Sequence, residues 1–208
     1  MKTETLIHNL SLQCRPIRPL GHPVKRFLIW ALFSILFLIA GVLIIGPANN
    51  VVWSGVPTPA FIFPALAMLF ISLVCTLAAF VMSVPNEEAR KFSALPILVL
   101  IFWFGLMTYM FASADLEDSR PGLICILRMI GLAAAPGALL FYMLRKAAPM
   151  RTGLIGLFAA IGALAFSEIG VQFLCHKSLF ETHVIVWHLI PVCVLALVGL
   201  VIGRTAFR

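Results

Sequence analysis

Charge is scarce along this chain: of 208 residues, 15 are Lys or Arg and 8 are Asp or Glu, while 62% are hydrophobic. A water-soluble domain of this size has too little interior to hide such a composition, so the bilayer is its expected solvent. Long polar stretches are missing as well; the connections between apolar runs are short, and none accommodates an inserted soluble domain. Basic residues are scattered among those connections without forming an extended basic surface, which argues against direct nucleic-acid binding. No Cys-x-x-Cys pair occurs among the five cysteines, so the usual motif of a dithiol relay is absent. Internal repeats and low-complexity segments are lacking too.

What the chain does have is six apolar runs, roughly Phe27–Gly46, Phe61–Met82, Ala94–Ala112, Gly122–Leu144, Gly153–Leu174 and His183–Gly203. Each is near the ~20 residues that cross the hydrocarbon core. The first starts after a long tail and is too long for a signal-peptide core, so it is read as a span. Lys2, Arg15, Arg18, Lys25, Arg26, Arg90, Lys91, Arg145, Lys146, Arg151, Arg204 and Arg208 fall on one side of this pattern; Arg120 and Lys177 fall on the other. By the positive-inside bias the richer side is cytoplasmic. The expected fold is therefore all-α, an integral membrane bundle of six transmembrane helices in three hairpins with both termini cytoplasmic. A cytoplasmic tail (residues 1–26) precedes the transmembrane domain (residues 27–208). The net charge of +7 fits this topology and an attraction to anionic membrane lipid.

Small residues show where helices can approach closely. Gly199 and Gly203 form a GxxxG pair in span six; Gly131, Ala133, Ala134, Ala135 and Gly137 surround Pro136 in span four; Gly153, Gly156 and Gly162 recur in span five. Spans four to six are expected to form a tight sub-bundle, with Pro136 kinking span four. Spans one to three are expected to face lipid.

Two ionisable residues stand out inside spans. Arg128 and Glu168 each lie about six residues, roughly 9 Å, in from the outer edge of their helices. Such residues are costly in a membrane and mark functional candidates, and an ion pair between the adjacent helices is the economical way to bury both. Cys125 lies three residues before Arg128 and Cys175 seven after Glu168, so each thiol shares a helix face with its charge. If the charges meet, the thiols converge near the outer surface, where His176, His183 and His188 join them. An oxidising compartment permits a Cys125–Cys175 disulfide. Alternatively Cys125, Cys175 and His188 can hold a soft divalent metal, as a transient ligand rather than a resident cofactor. Bland readings exist beside these: cysteine is a common packing residue, as Cys75 and Cys193 near mid-span are read, and the charges can simply set helix register.

The tail carries Leu6, Ile7, Leu10, Cys14 and Ile17 at helical spacing, with Thr3 as a cap and Pro16 limiting the end. A helix of about twelve residues is marginal alone and needs a partner for its apolar stripe. A hydrophobic groove on a soluble protein and the membrane surface both qualify.

These residues together resemble a known family, the NrsF-type membrane anti-sigma factors, negative regulators of an extracytoplasmic-function sigma factor. The resemblance runs the whole length. It includes Arg15-Pro-Ile-Arg-Pro19 in the tail, Ser83-Val-Pro85 after span two, and Cys125 early in span four. The run Leu144-Arg-Lys-Ala-Ala-Pro149 precedes a Gly/Ala-rich span five, and Cys175, Phe180 and Trp187-His188-x-x-Pro191 close the pattern. The resemblance implies a bacterial inner-membrane protein that is not an enzyme. It implies a tail, with Leu6, Ile7, Leu10, Cys14 and Ile17, that holds the sigma factor away from RNA polymerase. It also implies that the family's paired cysteines, matched here by Cys125 and Cys175, perceive metal or oxidative stress. The tail departs from the pattern in having one acidic residue, Glu4. Two rival classes fit less well. A membrane thiol oxidoreductase needs a second, relay pair of cysteines, but Cys14 lies on the wrong side and Cys75 and Cys193 lie too deep. A small metal transporter needs a polar path, yet Arg128 and Glu168 sit near one face with little polar continuation inward. Neither oligomeric state nor the identity of the sigma factor is specified by these patterns.

Overall fold

The computed structural model describes residues 3–12, 20–47, 59–84, 93–112, 122–147, 149, 151–175 and 182–207. Among the described residues every regular element is helical. A short helix, α1 (Thr3–Leu12), precedes α2 (Pro23–Ile45), α3 (Pro59–Met82), α4 (Ala94–Ala112), α5 (Leu123–Arg145) and α6 (Thr152–Leu174). The last, α7, covers 182–206 in three pieces: Thr182–Val184, a π turn at Ile185–Leu189, and Ile190–Ala206. Five of these helices, α2, α3, α5, α6 and α7, are long and apolar enough to cross a membrane, and α4 is a shorter apolar helix.

Local chemistry accounts for several boundaries. Pro23 opens α2, where its missing N–H costs nothing, and the His22 ring nitrogen Nδ1 accepts the Val24 N–H at 3.3 Å. Gly46 ends that helix at φ 84°, a conformation costly to residues with a Cβ. Pro136 does not end α5, which continues through it to Arg145. The Trp30 indole N–H donates to the Pro136 carbonyl at 2.9 Å, tying α2 to α5.

The core is organised around α6. Of its 23 residues 17 are buried, against three in α2, and most of its interior positions are Gly, Ala or other apolar residues. On one side α7 comes within backbone contact: a Cβ on Gly156 would lie 2.4 Å from the Gly199 carbonyl oxygen and 2.7 Å from Gly203 Cα. The GxxxG pair thus packs against α6, as the small-residue pattern led us to expect. On another side Ser72 of α3 donates to the Gly162 carbonyl at 2.8 Å. A Cβ on Gly162 would meet Thr76 Oγ1 at 2.2 Å.

This last contact corrects the expected division of the bundle. Span two does not face lipid as a group with spans one and three; Cys75, Ala78, Ala79 and Phe80 of α3 are buried against α6. The reason is steric: Gly162 leaves room for α3, and Ser72 and Thr76 supply short polar side chains that satisfy backbone oxygens or fill the gap. By contrast α2 exposes Leu28, Leu32, Leu36 and Leu43, and α4 exposes Leu98, Ile101 and Phe102, as lipid-facing helices should.

In the tail, α1 forms where the apolar spacing places it, and Ile7 and Leu12 are exposed. The side chains of Leu6 and Leu10, and residues Cys14 and Ile17, lie outside the described residues.

Candidate functional site

Three helix ends build the site. Gly122 precedes α5, and the Cys125 N–H bonds to the Gly122 carbonyl at 2.8 Å, which places Cys125 in the first turn. Cys175 follows the last residue of α6 in an extended conformation, with its N–H still bonded to the Val171 carbonyl at 2.8 Å. His183 and His188 come from the start of α7. In an ideal α-helix residues five apart are rotated by about 140° about the axis. The π turn at Ile185–Leu189 inserts one residue into that rotation, and the His183 and His188 rings lie 5.6 Å apart. Pro191 explains the bulge: lacking an N–H and clashing with the turn before it, it disfavours regular bonding there. Gly122 gives His183 its room, since a Cβ there would sit 2.6 Å from His183 Cε1 and from the Trp187 side chain.

The two sulfur atoms are 4.0 Å apart, as thiols rather than a disulfide. Cys125 Sγ is 3.7 Å from His183 Nε2. One ligand atom from each of Cys125, Cys175, His183 and His188 falls within 4.8 Å of the others, and all four residues are buried. A tetrahedral site with metal–sulfur bonds of about 2.3 Å and metal–nitrogen bonds of about 2.0 Å has sulfur–sulfur and sulfur–nitrogen edges of roughly 3.8 and 3.6 Å. The spacing is thus already close to that of a Cys₂His₂ site. Two thiols in contact at 4.0 Å are equally the reduced form of a pair that can close to a disulfide bond of about 2.05 Å.

Glu168 supports this cluster through His188. The carboxylate oxygen Oε1 lies 2.5 Å from His188 Nδ1. With the carboxylate ionised, Nδ1–H donates and the lone pair of Nε2 is left for a ligand, the usual carboxylate–histidine arrangement behind a metal. His188 Nε2 is buried without a hydrogen-bond partner.

The expected Arg128–Glu168 ion pair does not form. Arg128 Nη1 donates instead to the Leu174 carbonyl at 2.7 Å, and Glu168 turns to His188. Leu174 is the last residue of α6, so its carbonyl has no partner further along the helix, and a guanidinium at a helix C-terminus satisfies both geometry and dipole. Arg128 thereby holds the end of α6 beside α5, just ahead of Cys175. His176 lies outside the described residues. The trio Cys125, Cys175 and His188 named from sequence comes together, and His183, named only as support, stands beside it as a fourth donor. Its signal was the pairing of His188 with Pro191 three residues on, which announces irregular winding at that helix start.

A second polar anchor sits at the opposite end of the bundle. Arg26, in the first turn of α2, donates to Ser83 Oγ at 3.3 Å and to the Met143 carbonyl, and its guanidinium lies 5.0 Å from the centre of the Phe80 ring. From sequence it counted only as a topology marker.

Residues 10–208 match the family model NrsF, negative regulator of sigma F, and the chain belongs to that family. No curated protein and no solved structure matches it.

Proposed function

We propose that this negative regulator of a sigma factor is a membrane-embedded anti-sigma factor of the bacterial inner membrane. Six helices span the bilayer with both termini in the cytoplasm. The tail (residues 1–26) holds an extracytoplasmic-function sigma factor through the stripe of Leu6, Ile7, Leu10, Cys14 and Ile17. The Cys125–Cys175 end faces the outer compartment and perceives a soft divalent metal or an oxidant. The chain then acts by binding and release, with no catalytic step of its own.

Family membership supports the sigma-factor half of this reading. The observation that carries the sensing half is the four-donor cluster, with its two sulfurs 4.0 Å apart. A route between the two ends is also available. Helix α5 carries Cys125 at one end and the Met143 carbonyl that holds Arg26 at the other, and it touches α2 at Trp30 through Pro136. Near the middle, Leu132 of α5 packs where a Cβ on Gly41 would lie, at 2.5 Å. A shift of α5 on ligand binding is therefore felt by the helix that follows the tail. A coupling of about 1–3 kcal/mol changes release by roughly 5- to 150-fold.

The test is capture from solubilised membranes. The full chain should retain a sigma factor that Leu10→Asp loses; retention by Leu10→Asp refutes the tail assignment. Separately, Cys125→Ser and Cys175→Ser should alter target-gene output under metal or oxidative stress, and a response unaltered to both removes the sensing role without touching the docking role.

A further inference from the structure

A cavity of about 340 Å³ lies among α3, α4, α6 and α7, next to Glu168. That size is at the small end of the about 300–1,000 Å³ typical of small-molecule sites. Most of its wall is apolar and aromatic, with Phe63, Trp103, Phe104 and Met107 among the lining residues. Phe63 and Phe104 also reach the outer surface of the bundle, where they are 56% and 42% exposed, so access is sideways, from the acyl-chain region of a membrane. One pole is polar. Glu168 and Gln172 line it, at 5% and 3% exposure, and sit one helical turn apart on α6. Glu168 Oε2 and Gln172 Oε1 are both buried without a hydrogen-bond partner. Leaving buried acceptors unmet costs roughly 1–3 kcal/mol each, so such atoms call for a donor.

We infer that this chamber binds a lipid-soluble hydroquinone, with its ring among the aromatic walls and a hydroxyl donating to Gln172 and Glu168. The apolar lining and lateral access select a molecule that partitions into membranes. Aromatic walls favour a flat ring over an alkyl chain. Two acceptors without a donor select hydroxyl groups, and since Glu168 already faces His188, the head needs no positive charge. The chamber adjoins the sulfur cluster: His188, a donor there, and Glu168, which supports it, both also line the chamber.

The test uses the purified full chain in lipid nanodiscs, kept anaerobic, titrated with a decyl-substituted hydroquinone. Binding is followed by quenching of tryptophan fluorescence, since Trp103 lines the chamber, and by protection of the wall residue Cys193 from a lipid-soluble maleimide. Saturable binding is expected, weakened about tenfold by Gln172→Leu, the size of one lost hydrogen bond to a buried group. Met107→Trp, which fills the chamber, should abolish both signals. The dimethyl ether of the same ring should bind the unaltered chain about tenfold more weakly, a comparison that needs no variant to fold. Non-saturable uptake, an unchanged affinity in Gln172→Leu, or equal binding of the ether would each overturn the inference, the last leaving buried water as the partner of the two acceptors. Dodecanol binding as tightly as the hydroquinone would overturn the ring assignment.

Discussion

The two ends of the bundle bury ionisable side chains in opposite ways. At the Arg26 end the guanidinium is met by fixed neutral acceptors, the Ser83 hydroxyl and the Met143 carbonyl, with the Phe80 ring beneath it. At the Cys125 end, sulfur and imidazole donors of metals face one another, and His188 Nε2 and Glu168 Oε2 are left without hydrogen-bond partners. The first arrangement is complete without a ligand and serves as an anchor. The second leaves buried acceptors that a ligand could meet, in keeping with the proposed sensing role. The contrast shows that burial of an ionisable group in a membrane helix does not by itself mark a site; here the convergence of metal-binding donor types does.

Several substitutions would break or sharpen this contrast. The largest effect is expected at Trp30, one turn beyond Arg26: Trp30→Ala should cost about 3–5 kcal/mol of stability in detergent unfolding. Trp30→Phe, which removes mainly the bond to the Pro136 carbonyl, should cost about 1 kcal/mol. Neither should change zinc affinity measured on the folded fraction; a marked loss there would mean the two ends are not separable. Next, Arg128→Met should cost about 1.5–3 kcal/mol, the scale of a charged hydrogen bond, by freeing the Leu174 carbonyl. Its coupling with Glu168→Gln in a double-mutant cycle should be smaller than that between Glu168→Gln and His188→Ala; the reverse order would restore the Arg128–Glu168 pair.

At the Cys125 end, Glu168→Gln should weaken zinc binding about 10–100-fold in a competition titration while leaving the unfolding midpoint nearly in place. An unchanged zinc affinity would remove the role of Glu168 behind His188. The smallest effect is expected from a methyl group. Gly122→Ala drives a Cβ toward His183 and should weaken zinc binding by roughly tenfold if His183 is a ligand. Gly131→Ala, which meets only open space, should leave zinc binding alone and stabilise the helix by about 0.5–1 kcal/mol. Equal behaviour of the two variants would exclude His183 from the site.

Much of the bundle was legible because hydropathy reports length and composition directly. The six apolar runs coincide with α2 to α7 to within a few residues, and the GxxxG pair found its partner in Gly156. The relative rotation of neighbouring helices was not legible. Periodicity groups Cys175 with Glu168 and Cys125 with Arg128, but says nothing of which neighbour each of them meets. Glu168 turned to α7 and Arg128 to a backbone carbonyl, an acceptor that leaves no trace in the side-chain pattern. The central place of α6 was likewise hidden, because a span of Gly and Ala has the same hydropathy whether lipid or helices surround it.

Amino-acid order alone thus determined that this chain is a helical membrane bundle of the NrsF family, with two thiols near matched helix ends. That much follows from apolar run length and local spacing, which act within a single helix. Only tertiary structure decided that His183 stands with Cys125, Cys175 and His188, that Glu168 meets His188, and that α5 spans the distance from Cys125 to Arg26. Those outcomes depend on close approach to Gly122, Gly156 and Gly162 and on the π turn before Pro191. The close approaches are a property of how helices pack against one another, and no single helix encodes them.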